Sequence, residues 1–172
     1  MAEELTEEQL ALLANFMYSS FLLADSAREF NGHSIGAILD RIGTEMIFSD
    51  PCGGLSPEDW TALIGALQAD EALTQLTLVN LRNDPAAGAP SAYFTSPDGQ
   101  GIIACCGTGR DEWGYDLEGA FSADPPNKVA LLRWFDSLNL DPTRPITITG
   151  HSDGGNDAIY LTVRRVLLST QK

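Results

Sequence analysis

The order of apolar and polar positions divides the chain into a helical first part and a second part that alternates strands with helices. Leu10, Leu13, Met17, Phe21 and Ala24 recur at helical spacing, which predicts an amphipathic helix running to about Ser26. Thr6-Glu7-Glu8-Gln9 has the spacing of a capping box at its start. Ile35, Ile38, Leu39, Ile42 and Met46 mark the buried side of a second helix over residues 34–48. Ser56-Pro57-Glu58-Asp59 combines an N-cap, a proline at the first helical position and two acids at the positive dipole end, so a third helix is expected to end near Ala69.

From residue 76 the pattern becomes that of strands. Leu76-Thr77-Leu78-Val79-Asn80-Leu81 is rich in strand formers. Residues 91–96 and 101–107 flank Pro97-Asp98-Gly99-Gln100, turn chemistry that predicts a hairpin. Ile102-Ile103-Ala104-Cys105-Cys106 lacks polar alternation and suits a strand covered on both faces. A helix is expected over residues 127–138 with Asn127 as cap, then a strand over 146–149 and a last helix over 156–168. The fold class is therefore α/β, in one domain over 1–172, with a helical segment at 1–70 and the strands at 71–172.

Composition narrows the functions. With 24 acidic and 10 basic side chains the net charge is −14, the wrong sign for nucleic acid. The 44% hydrophobic content is that of a folded chain rather than a disordered one. No apolar run reaches the roughly 18 residues of a membrane span. The acidic start, Met1-Ala2-Glu3-Glu4, lacks the basic opening of a secretory signal, so a cytoplasmic location is expected. Cys52, Cys105 and Cys106 have no metal-ligand spacing and read as reduced thiols.

Gly150-His151-Ser152-Asp153-Gly154 falls between the expected strand and the last helix and matches the nucleophile elbow, Gly-x-Ser-x-Gly. Chance supplies the bare pattern in roughly one chain of this length in twenty, so its weight comes from that context. In such a turn the serine hydroxyl projects above the sheet, and the N–H of the next residue points at a developing oxyanion. Ser152 is thus the candidate nucleophile, Asp153 a candidate oxyanion donor, and Gly150 and Gly154 the residues that leave room for the turn.

The segment over 148–160, Ile-Thr-Gly-His-Ser-Asp-Gly-Gly-Asn-Asp-Ala-Ile-Tyr, resembles the Gly-His-Ser-Lys-Gly-Gly-Asn-Leu-Ala segment of the lipase-like α/β-hydrolases known as the Mbeg1-like or DUF2974 family, relatives of the class 3 lipases. Residues 102–117, from Ile102 through Gly107-Thr108 to Trp113 and Asp116, resemble that family's strand ending in Arg-Gly-Thr and its acidic loop. The resemblance covers about 76–166. It implies an α/β-hydrolase-like sheet, carboxylic ester or lipid substrates, no cofactor, and Thr108 as a second oxyanion donor. Cys106 stands where the family has Arg, and Asp153 where it has Lys or Leu, which sets a carboxylate beside the oxyanion site.

The pattern is incomplete. In this fold acid and histidine follow the nucleophile, but the 20 residues after Ser152 contain no histidine. The sheet is therefore expected to be C-terminally incomplete. His151 is expected to turn away from the serine and pack, and His33, in Asn31-Gly32-His33-Ser34, to be a surface or capping residue. Asp153, Asn156 and Asp157 converge poorly for calcium on one helical turn and read as a solvated helix start. Trp113 and Asp116 read as core and capping residues. Gly107-x-Gly109 is too short for a dinucleotide fingerprint, no phosphate loop exists, and no metal site is expected. Three readings stay open: a serine esterase or lipase domain, a non-catalytic interaction module that keeps the elbow as a turn, and half of a split hydrolase. All three share an exposed sheet edge suited to self-association or a partner chain.

Overall fold

A computed structural model of the chain describes residues 4–19, 22, 25–47, 55–84, 88–107, 126–141 and 143–170. Helix α1 (Glu7–Phe16) opens on the expected capping box, with Thr6 and Gln9 exchanging bonds. It stops well before residue 26. Met17 and Tyr18 turn inward and are buried, the Ser19 hydroxyl donates to Phe16 O, and a 3-10 segment follows over Asp25–Phe30. Helices α2 (Ile35–Ile47) and α3 (Pro57–Ala69) sit where their apolar spacing predicts, the second capped by Ser56 and Asp59 in a reciprocal pair. A short helix α4 (Glu71–Thr74) starts on Asp70, whose carboxylate accepts from Leu73 N at 3.0 Å and from the Gln9 side chain at 2.9 Å. That one carboxylate ties α1 to the start of α4.

Four strands form one sheet in the order β1 (Thr77–Arg82), β2 (Ser91–Thr95), β3 (Gly101–Cys105) and β4 (Ile146–Gly150). The pairs β1–β2 and β2–β3 are antiparallel, the second being the predicted hairpin, and β3–β4 is parallel. A register shift at Val79 marks a bulge in β1. The outer side of β1 is met by residues 32–34: Gly32 N donates to Leu78 O at 2.7 Å, Leu78 N to His33 O at 2.9 Å, and Ser34 bridges to Thr77. Helix α5 (Pro126–Ser137) lies between β3 and β4 in sequence, and α6 (Asp153–Thr170) follows β4. Asn127 lies inside α5 rather than ahead of it, its side chain accepting from Lys128 N, and α6 begins three residues earlier than its apolar spacing suggested.

The sheet separates two cores. Ile102, Ala104 and Cys106 pack with α1, α2 and α3 around Phe16, Ile38 and Trp60, whereas Ile103 and Cys105 face Leu131, Phe135 and Leu161 of α5 and α6. All of β3 is buried, as its unbroken apolar run predicts. Cys105 and Cys106 point to opposite faces, neither in a disulfide, and burial pushes the Cys105 thiol up to about 12. Among the described residues no helix is long and apolar enough to cross a membrane.

The double role of Asp70 sets a testable cost. Asp70→Ala removes an N-cap bond and the link to Gln9 together, and is expected to destabilise by about 1–2 kcal/mol. A lower urea midpoint with unchanged denaturant slope will register it.

Candidate functional site

Strand β4 ends at Gly150 and α6 begins at Asp153, so only His151 and Ser152 make the turn between them. Ser152 has φ +57°, in the left-handed region, where a non-glycine residue carries on the order of 1–3 kcal/mol of strain. The conformation is held on both sides. Gly154 N donates to His151 O at 3.0 Å and Gly155 N to Ser152 O at 2.9 Å. A Cβ on Gly150 would run into the Gly154 carbonyl, and one on Gly154 would run into Cys105 O and sit 2.7 Å from Cys106 O. Gly107, just past β3, is as tightly placed, since its Cβ would lie 2.9 Å from that of Ser152. The Gly-x-Ser-x-Gly spacing therefore has a steric origin: the end of α6 is pressed against the backbone at the end of β3.

Ser152 is exposed, and among the described residues no group hydrogen-bonds its hydroxyl. The Asp153 N–H, at the start of α6, likewise has no acceptor among them. Thr108 lies outside the described residues, as do Cys52, Trp113 and Asp116. Gly107, its neighbour, adjoins Ser152.

Neither histidine stands ready as a base. His151 is exposed rather than packed away, and its Nδ1 lies 3.1 Å from the Tyr18 hydroxyl, with the rings edge to face. Burial raises the Tyr18 phenol to about 12, Cys106 adding to the effect, so the phenol stays neutral and fixes the imidazole. His33 is exposed and joins the far side of β1. Three strand spacings, about 14 Å, separate that edge from β4, which removes it as a partner for Ser152. On the α1 side a groove reaches the elbow, apolar at Leu10, Ala11 and Ala14, polar at Glu7 and Asn15, and closed on the other side by Thr149, Gly150 and His151.

The start of α6 is not the solvated acidic end that its sequence suggests. Asp157 is buried, and buried Lys128 of α5 donates to its carboxylate and lies 3.4 Å from Asp153. Burial raises the Asp157 carboxyl, Lys128 only partly opposing it. Burial also works against the Lys128 charge, but the hydrogen bond and attraction of Asp157, then Asp153, outweigh it and raise the ammonium. Lys128 thus draws the Asp153 carboxylate into an ion pair beside the helix start and offsets its charge there. Two features of the sequence, not used in reading it, could have found this cluster. Like charges at positions i and i+4 repel unless a cation lies between them, and a lysine in the first turn of a helix opposes the dipole unless a carboxylate faces it. Among the described residues no three metal-binding side chains converge.

No family model matches the chain, and no curated protein or solved structure is significantly similar to it.

Two consequences can be measured. Gly154→Ala places a methyl group against backbone carbonyls and is expected to cost about 2–3 kcal/mol. Gly155→Ala, whose Cβ meets nothing closer than 3.6 Å, is expected to be neutral or to stabilise by up to about 1 kcal/mol. Equal losses for both in thermal unfolding would contradict the close approach. Lys128→Met leaves Asp157 buried without its cation, at a cost of about 3–5 kcal/mol near neutral pH. With its folded pKa raised further, Asp157 stabilises the fold below its unfolded pKa, and that stability is lost as pH rises through the folded pKa. The deficit of Lys128→Met relative to wild type should therefore grow from about pH 4 to pH 7.

Proposed function

We propose that the chain carries the nucleophile and oxyanion side of a serine hydrolase site for carboxylic esters, on an α/β-hydrolase-like sheet. Ser152 is the nucleophile, and the N–H groups of Asp153 and Thr108 are the oxyanion donors. The observation that carries the reading is the left-handed Ser152, φ +57°, held between a strand and a helix by glycines that no side chain can replace. A strained, exposed serine at a helix start is hard to account for as a plain turn, because a glycine there would relieve the strain at no steric cost. The groove beside α1 offers an apolar wall for a short acyl chain. The Lys128 ion pair keeps the Asp153 carboxylate from opposing negative charge at the oxyanion.

What the described residues lack is a base, and an unactivated serine is a poor nucleophile near neutral pH. A second reading, that the elbow is kept as a turn in an interaction module, is favoured by the unengaged Ser152 hydroxyl. A complete hydrolase that loses a triad member retains about 10³ to 10⁴ over water through its oxyanion hole and binding. This chain is expected to fall below that, labelling slowly with a fluorophosphonate, with the adduct on Ser152 and none in Ser152→Ala. Added imidazole, supplying the missing base, should accelerate wild type alone. Labelling at other residues, or imidazole acceleration that persists in Ser152→Ala, would remove Ser152 from the reaction and leave the turn reading.

A further inference from the structure

Tyr18 lies just past the end of α1 and is buried, yet its hydroxyl reaches the elbow. A Cβ on Gly107 would run into that hydroxyl and lie 2.9 Å from the Ser152 Cβ, so the phenol oxygen and the serine side chain flank the space that the glycine leaves open. They are at most about 5 Å apart, a separation that admits an oxyanion between them at about 3 Å from its donor. Glycine at position 107 therefore makes room for the phenol oxygen as well as for the turn. Packing alone does not call for that oxygen, because phenylalanine would fill the same place without burying a hydroxyl.

The hydroxyl has a hydrogen to give. A phenol oxygen accepts up to two hydrogen bonds and donates one. Here the Gly107 N–H donates to it, and His151 Nδ1 lies 3.1 Å away. In the imidazole tautomer with its hydrogen on Nδ1, both accepting positions of the phenol are filled, and no acceptor among the described residues takes the phenol's own hydrogen. Burial, then Cys106, raise the phenol to about 12 against the lowering effect of the Gly107 N–H, so that hydrogen is in place near neutral pH.

We propose that the Tyr18 hydroxyl is a third oxyanion donor, beside the N–H groups of Asp153 and Thr108, for an ester carbonyl attacked by Ser152. The inference rests on the serine hydrolase reading and adds to it a donor that lies wholly within the described residues. As the Ser152 Oγ bonds to the acyl carbon, the carbonyl π pair moves onto oxygen and the serine proton passes to solvent or to an added base. The charged oxygen then lies in the space beside Gly107, where the phenol O–H donates to it and keeps its own proton. Ala14, four residues before Tyr18, lines the groove along α1, so one stretch of chain supplies both the wall for a short acyl chain and the donor for its carbonyl.

Propylboronic acid tests this on the full chain without requiring a base, because it adds to a serine hydroxyl at equilibrium. The Oγ–B bond forms, boron becomes tetrahedral and negatively charged, and one proton goes to the buffer. Titration followed by boron NMR reads the affinity, and Ser152→Ala, which should form no adduct, locates it. Tyr18→Phe is expected to weaken the adduct by about 10- to 100-fold, the worth of one hydrogen bond to a charged group. His151→Ala, which breaks the same Tyr18–His151 contact but keeps the hydroxyl, should weaken it far less. Difluorotyrosine at position 18 keeps the shape, makes the O–H a stronger donor and should tighten the adduct; this arm decides the matter if Tyr18→Phe does not fold. No Ser152 adduct in wild type would overturn the hydrolase reading and this inference together. A Ser152 adduct as tight in Tyr18→Phe as in wild type, a loss that His151→Ala reproduces in full, or no tightening by difluorotyrosine would overturn the role of Tyr18 alone.

Discussion

The N-terminus of α6 and the C-terminal end of β3 share a space with no room for a side chain, and much of the C-terminal half follows from that approach. Gly154 must be glycine for α6 to reach the Cys105 and Cys106 carbonyls, and Gly107 for β3 to pass beneath the turn. With the helix start pinned there and β4 paired in parallel with β3, the chain has two residues in which to reverse from strand to helix. Ser152 absorbs the turn as a left-handed residue. The strain at the serine is thus set by the backbone packing around it.

A second consequence is electrostatic. The pinned helix start brings Asp153 and Asp157 to the side of α6 that faces α5, where both lie close to water-excluded surface. Two carboxylates in that position are unstable unless a cation joins them, and Lys128 is the residue that does so. The cluster fixes how α5 meets α6, in addition to the apolar contacts of Leu131, Phe135 and Leu161. Its net charge of −1, with the ammonium between the acids, leaves the positive end of the helix dipole less opposed than two free acids would.

Much of this was legible in the sequence because it rests on local chemistry. The hairpin followed from Pro97-Asp98-Gly99, the two-faced strand from five apolar residues in succession, and the caps from Thr6 and Ser56. The Ser152 turn followed from the spacing of two glycines. What remained hidden depends on partners far apart in the chain. Helix α1 stops at Phe16, and past it Tyr18 joins a core built by later residues and meets His151 across 133 positions. Asp157 read as solvated because the lysine that buries it belongs to another helix. Thr108, carried by resemblance alone, falls outside the described residues.

The bulge at Val79 and the strap of residues 32–34 along β1 have a bearing on the sheet as a whole. A sheet with two bare edges can add copies at both and grow without limit, which is the geometry of a fibril. Here one edge is bent by the bulge and occupied by the chain's own backbone, through Gly32, His33 and Ser34. Among the described residues the sheet therefore has a polarity in its plane: β4 carries the edge that no other strand meets, and β1 the edge already finished. A sheet closed at one edge has at most one edge left for strand pairing, so such pairing cannot repeat without end.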